Sequence, residues 1–260
     1  MPHRRDADVA IRASDLSVIR SSRGGDLRVV DGVSFVLPHA ATLAVMGPTG
    51  AGKSSLAAML SGVDSPGLAV VGGDAWVHGI RVRHPGRARR ELTYLTGFLE
   101  QRAGANLPSR LTVGEVIGGP ITSRDRRVNQ RALAVRIATL LDELMLPLGA
   151  VAKYPYELSA GMRQRVALAR TLVLDPRLLV ADDPFANLDV EVRRAARDAI
   201  LRRRAQGMSA LIVTNETDVA RELDADVLVL RAGHPVAYGR GTDHLLWTPS
   251  AAPDDRLIAS

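Results

Sequence analysis

The chain has 260 residues, 34 Lys and Arg against 28 Asp and Glu, a formal net charge of +6, and no cysteine. That length suits one large core or a core with a subdomain, and the missing thiols exclude disulfides and cysteine nucleophiles and leave His, Asp and Glu as metal ligands. At 46% hydrophobic the chain is expected to be globular, while 3% aromatics provide no stacking platform for bases, so nucleic-acid binding is not expected.

The first fifteen residues, MPHRRDADVAIRASD, are charged and carry no apolar stretch, which leads to the expectation of a cytoplasmic protein. No run of 18 apolar residues appears, so no spanning helix is expected. VAIRASDLSVIR (9–20) and GVSFVL (32–37) read as antiparallel edge strands. TLAVM (42–46), LLVAD (178–182), ALIVT (210–214) and VLVL (227–230) are short apolar runs between turn residues, the pattern of buried parallel strands. Asp74 and Trp76 in GGDAWVHG fit a strand and turn. Helical periodicity marks 129–146, ending at Pro147, 159–175, ending at Pro176, and 190–207, closed by Gly207. Residues 93–160 read as a helical insertion without a buried strand. His39, His78, His84 and His234 lack metal-ligand spacing and are expected as surface imidazoles, and the tail SAAPDDRLIAS as a mobile end. The Arg-rich runs at 83–90 and 201–205 fit solvated helix faces better than an acidic partner.

GPTGAGKSS (47–55) follows the strand TLAVM and precedes a helical run, the context a phosphate loop requires. Gly47, Pro48, Thr49, Gly50, Ala51 and Gly52 offer backbone N–H groups to phosphate oxygens, helped by the positive end of the helix. Lys53 suits the β- and γ-phosphates of ATP, Ser54 suits Mg²⁺, and Ser55 continues the loop. Asp182 and Asp183 close a buried strand as adjacent carboxylates, which are costly to bury without a cation. Asp182 is the candidate second Mg²⁺ ligand.

Taken together, these residues resemble the ATP-binding subunit of an ABC transporter. YPYELSAGMRQRVALARTLVLDPRLLVADDP (154–184) is most similar to the oligopeptide, dipeptide and nickel importer branch. LSAGM (158–162) stands for the family signature, ANLD (186–189) for the loop after the catalytic carboxylate, and Gln101 for the glutamine that senses γ-phosphate and Mg²⁺. The resemblance implies a P-loop α/β core over 1–92 and 161–260, an N-terminal antiparallel β subdomain, and a helical subdomain over 93–160 that docks on a permease. It implies Mg-ATP held between two subunits, with Ser159 and Gly161 lent to the neighbour's nucleotide. It also implies a membrane permease subunit, a second ATP-binding subunit and a substrate-binding protein as partners, with the chain peripheral on the inner face of the membrane.

Four positions depart from the family pattern. Asp183 stands where the family has a glutamate base, Asn215 where it has a histidine, Arg20 where an aromatic stacks on adenine, and Ala160 where the signature has glycine. A base must come within ~2.6–3.2 Å of the proton it takes, and a carboxylate shorter by one methylene is poorly placed for that. Asn can donate a hydrogen bond but carries no proton. The expectation is therefore ATP binding with slow hydrolysis at this chain's own site, in a heterodimer rather than a homodimer. Three alternatives stay open: an active enzyme in which Asp183 and Asn215 compensate each other, a nucleotide-sensing regulatory subunit, and a soluble ABC protein acting on ribosomes or DNA.

Overall fold

A computed structural model describes residues 9–247 apart from 23, 84, 85 and 126. His84 and the tail SAAPDDRLIAS therefore lie outside the described residues.

A seven-stranded sheet forms the centre. Its strands are β3 (Thr42–Met46), β6 (Thr96–Leu99), β7 (Leu178–Asp182), β8 (Ser209–Val213), β9 (Asp226–Arg231), β10 (His234–Arg240) and β11 (His244–Trp247). Their order is β11-β10-β9-β3-β8-β7-β6. From β9 to β6 neighbouring strands are parallel, and β10 and β11 add an antiparallel edge. A second, antiparallel sheet has the order β2-β1-β4-β5, built from β1 (Ile11–Ser22), β2 (Gly25–Leu37), β4 (Leu68–Val77) and β5 (Ile80–Arg81).

The central strands are apolar on both faces because each face has its own core. Leu43 and Val45 of β3 and Leu178 and Val180 of β7 join the core under the antiparallel sheet. Ala44, Met46, Leu179 and Ala181 point the other way, into the helical core. Side chains alternate along a strand, so TLAVM and LLVAD must be apolar throughout to serve both layers.

Helix α1 (Lys53–Ser61) lies between the two sheets. Helices α3 (Val113–Thr122), α4 (Gln130–Glu143), α5 (Ala160–Leu172) and α6 (Val190–Ala205) build the other layer, while α2 (Ala88–Leu95) and α7 (Thr217–Glu222) are short connections. Their starts follow local chemistry: Thr112, Asn129, Ser159 and Asp189 each accept a backbone N–H bond at the N-terminus of α3, α4, α5 and α6. Among the described residues, no helix is long and apolar enough to cross a membrane.

Two expectations change. β1 is an inner strand, paired to β2 on one side and β4 on the other, so of the two strands expected at edges β2 alone is at one. The stretch 93–160 does contain a core strand: β6 pairs with β7 and closes the central sheet. Its sequence, TGFL, is short and broken by Gly97. The glycine is needed there because a Cβ would sit 2.8 Å from the Thr171 carbonyl oxygen on α5. Close helix packing therefore removed the apolar signal that would have marked the strand.

Candidate nucleotide site

The phosphate loop joins the C-terminal end of β3 to α1. Gly47 has φ 135° and a Cβ there would lie 2.0 Å from the Leu230 carbonyl oxygen; Gly52 has φ 95° and a Cβ would lie 2.0 Å from the Val29 carbonyl oxygen. Backbone from β9 and β2 thus presses on the loop from two sides, and only glycine permits that path. Ala51 is buried, whereas Pro48, Thr49 and Gly50 are exposed along the rim.

Lys53 is 9% exposed and donates to the carbonyl oxygens of Gly47 and, at 3.0 Å, Pro48. Burial lowers its pKa, opposed by the negative charges of Asp182 and Asp183. Asp182 is 3% exposed at the end of β7 and accepts a hydrogen bond from Ser54. Burial raises its pKa most, the Ser54 bond opposes this, and Asp183 adds to the rise. A hydroxyl and a carboxylate at one point, beside a glycine cradle and a lysine, form the hard-oxygen donor set that Mg²⁺ takes with phosphate.

Asp183 follows in a tight turn with φ 49°, its N–H bonded to the Val213 carbonyl at 3.0 Å. Its carboxylate accepts a hydrogen bond from the Gln101 side chain. Burial raises its pKa, Lys53 pulls it down, and Glu216 raises it again. Gln101, Asp183, Asp182, Ser54 and Lys53 therefore share one site.

Other expected residues take separate places. Asn215 is exposed in the turn between β8 and α7, and its side chain makes no hydrogen bond among the described residues. The neighbouring Glu216 is the group whose charge reaches Asp183, and it is held by Arg193 at 2.5 Å. Arg20 on β1 donates to Ser55 at 3.2 Å. Ser159 caps α5 by accepting from the Met162 N–H at 3.2 Å. Gly161 lies against the turn after Asp183, where a Cβ would be 2.9 Å from the Asn187 carbonyl oxygen. Among the described residues, no hydrogen bond joins Ser159 or Gly161 to this chain's phosphate loop.

Sequence reasoning missed Gln164. It is 4% exposed on α5, accepts from the Gly104 N–H at 3.4 Å and donates to the Asp183 and Pro184 carbonyls at 3.4 Å. It links the turn after Gln101 to the turn carrying Asp183. A polar residue on a buried helix face otherwise made of Val166, Ala167, Leu168, Ala169 and Leu172 was the available signal.

His78 also differs from the expected surface imidazole. It stacks on His39 with ring centroids 5.5 Å apart. Its pKa is lowered to about 4, by burial first and then by the positive charges of His39 and Arg177. His234 is exposed and 3.9 Å from Asp31.

A parallel sheet with a glycine loop, lysine, serine and aspartate at its C-terminal edge defines a P-loop nucleotide-binding protein that takes Mg-ATP. The sequence pattern of the ABC transporter family matches residues 30–186, and the chain belongs to that family as an ATP-binding domain. It is 29% identical to the oligopeptide transport ATP-binding protein OppF of Salmonella typhimurium, over 82% of this chain and 63% of that one. It is 34% identical to the Fe(3+) ions import ATP-binding protein FbpC of Pseudomonas fluorescens, over 88% and 62%. It is 32% identical to the sulfate/thiosulfate import ATP-binding protein CysA of Rhodopseudomonas palustris, over 84% and 61%. The chain thus spans about three fifths of the length of these relatives. The fold matches the dimeric ATP-binding cassette MJ0796 bound to ADP and Pi, with TM-score 0.79, 21% identity, and 88% and 98% of the two chains covered. It also matches cbiO1 of Clostridium perfringens, part of the cbiONQ transporter complex, with TM-score 0.73, 20% identity, and 90% and 89% covered.

Proposed function

We propose that the chain is the ATP-binding subunit of an importer, pairing with a second ATP-binding subunit and driving a separate membrane permease from the inner face of the membrane. One observation carries the permease reading. A groove of about 660 Å³ opens between β6, the turn Ala103–Leu107, α3 and α5. It is lined by Phe98, Ala103, Asn106, Pro120 and Arg170, and its wall begins at Glu100, next to Gln101. A permease helix seated there touches the turn whose glutamine is bonded to Asp183. Movement at the nucleotide is thereby felt at the membrane partner, and the reverse. The helical subdomain, taken from the end of β6 to Ser159, supplies most of this surface.

At the site, Lys53 and the N–H groups of the loop hold the phosphates, and Ser54 and Asp182 hold Mg²⁺, which neutralises phosphate charge. Asp183 takes the proton of an attacking water. Its raised pKa strengthens it as an acceptor, and its short side chain holds it back from the water. Asn215 offers a neutral donor at the edge. Slow turnover at this site follows. A heterodimer fits this, because the surface lent to the neighbour, Ser159 and Gly161, keeps its helix cap and its close packing. The relatives' names cover peptide, iron and sulfate, so peptide or nickel import is one choice among several, with a substrate-binding protein delivering the solute.

The test is Asn106→Trp, which fills the exposed groove away from the phosphates. Membrane retention with the co-expressed permease should fall sharply while ATP affinity stays unchanged. Full retention in this variant contradicts the docking assignment. A nucleotide-sensing regulatory subunit is the second reading: it predicts ATP binding with no phosphate release in the complete complex.

A further inference from the structure

We propose that Arg20 makes this site a reader of the triphosphate rather than of the base, so that it accepts nucleoside triphosphates with little regard to the nucleobase. The proposal rests on the nucleotide reading of the phosphate loop given above. Arg20 lies at the outer end of β1, opposite Leu27 on β2 and Leu68 on β4. The neighbouring stretches, 18–22, 25–30 and 67–71, contain no aromatic residue. None of these three stretches supplies an aromatic ring to stack on a base.

The guanidinium turns toward the phosphate loop instead. Its Nη2 donates to the Ser55 hydroxyl at 3.2 Å. Ser55 is 7% exposed in the first turn of α1, directly after Lys53 and Ser54. That turn carries the free N–H groups and positive helix end that attract phosphate. Among the described residues, Arg20 bonds to the Ser55 hydroxyl and pairs with no carboxylate. A guanidinium has five N–H donors, and the Ser55 bond uses one. The remaining donors form a planar fork suited to two oxygens of one phosphate. Phosphates are common to every nucleoside triphosphate. Across the strand pair from Arg20 stands Leu27, 66% exposed, whose side chain has no donor or acceptor to distinguish one base from another.

The geometry separates this arrangement from a guanidinium lying flat on adenine. A stacking arginine rewards a large π surface and so favours purines. An arginine fixed on Ser55 rewards charge and so treats the bases alike.

Equilibrium dialysis with labelled ATP, GTP, CTP and UTP, with Mg²⁺ present, decides between them, using wild type, Arg20→Ala and Arg20→Tyr. Arg20 is exposed, so both variants should fold, and circular dichroism checks it. Wild type should bind the four nucleotides within about threefold of one another. Arg20→Ala should weaken all four by about tenfold, the worth of one charged hydrogen bond, without changing their order. Arg20→Tyr should gain a purine preference while losing overall affinity. A wild type that prefers ATP to CTP by more than tenfold, with the preference lost in Arg20→Ala, overturns the proposal and leaves the nucleotide reading intact. A folded wild type that binds none of the four overturns both.

Discussion

Gln164 and Asp183 are joined through the backbone: the buried amide of Gln164 donates to the Asp183 carbonyl across 3.4 Å, and its own oxygen accepts from Gly104 at 3.4 Å. The turn carrying Asp183 is thus tied to the turn after Gln101 by a side chain outside the phosphate loop. Gln164→Leu keeps the volume and removes the bonds. It leaves buried carbonyls and an N–H without partners, at a cost of about 1–3 kcal/mol. The urea midpoint should fall accordingly. Turnover should fall further than ATP affinity, because Asp183 loses its support while the loop of Lys53 does not. Gln164→Glu, which keeps the bond from Gly104 but sets a buried carboxylate against the Asp183 and Pro184 carbonyls, should not recover the stability.

Lys53→Ala should weaken ATP binding about ten- to a hundred-fold, the range for a charged hydrogen bond to phosphate. Lys53 meets only backbone carbonyls of its own loop and the charges of Asp182 and Asp183, so the loss should appear in binding rather than in folding. Fluorescence titration with Mg²⁺, beside a thermal melt, checks both halves.

His78 sets a pH dependence. Its folded pKa, about 4, lies below the ordinary 6.5, so the unfolded chain binds the extra proton between these values. Stability from this group is therefore full above pH 6.5 and is lost as pH falls toward 4. The loss between pH 7.5 and pH 5 is about 2 kcal/mol. His39 and Arg177 are the charged groups that hold the value down, after burial. His78→Gln should remove this part of the slope, read as the difference between the two urea-midpoint curves across that range.

The apolar strands were readable because they must serve two cores, and the helix starts because Asn129, Ser159 and Asp189 carry the caps. The phosphate loop was readable because glycine, lysine and serine have no substitutes there. β6 was not, since Gly97 yields to the Thr171 backbone, and neither was the edge β10–β11, whose burial is partial. Within the site, the sequence named Lys53, Ser54, Asp182 and Asp183 by its pattern and Gln101 by the family resemblance, and these do meet. It could not name Gln164, whose importance lies in contacts 60 residues away along the chain. Nor could it show that Arg20 turns toward Ser55, because the direction of a long side chain is set by its neighbours in space.

Asp183→Glu and Asn215→His should raise phosphate release, and the double change should raise it more than the two single effects together. Base and γ-phosphate donor act on one transition state, so their effects couple. The turn geometry tempers the first change: Asp183 sits at φ 49°, which a longer carboxylate tolerates less well than glycine would but keeps the same backbone bond to Val213. Steady-state phosphate release for the four variants measures it. A double variant slower than wild type contradicts the account of Asp183 as a short base.

The proposed heterodimer yields the sharpest contrast, because in it one chain would supply two unlike surfaces. Its own site brings Lys53, Asp182 and Asp183 together. The surface it would lend to a neighbour is the N-terminus of α5, where Ser159 caps the helix and Gly161 packs on the Asn187 carbonyl. If the partner carries a full set of catalytic groups, the site completed by Ser159 hydrolyses ATP, while the site of Lys53 mainly holds it. Ser159→Arg places bulk and a second hydrogen-bonding geometry at that helix end, and should eliminate most turnover of the reconstituted complex. Lys53→Ala should leave a substantial part. In a homodimer each substitution strikes both sites, and the two losses become similar. Phosphate release from the purified complex distinguishes these cases, and a native complex containing two copies of this chain and no other ATPase refutes the heterodimer outright.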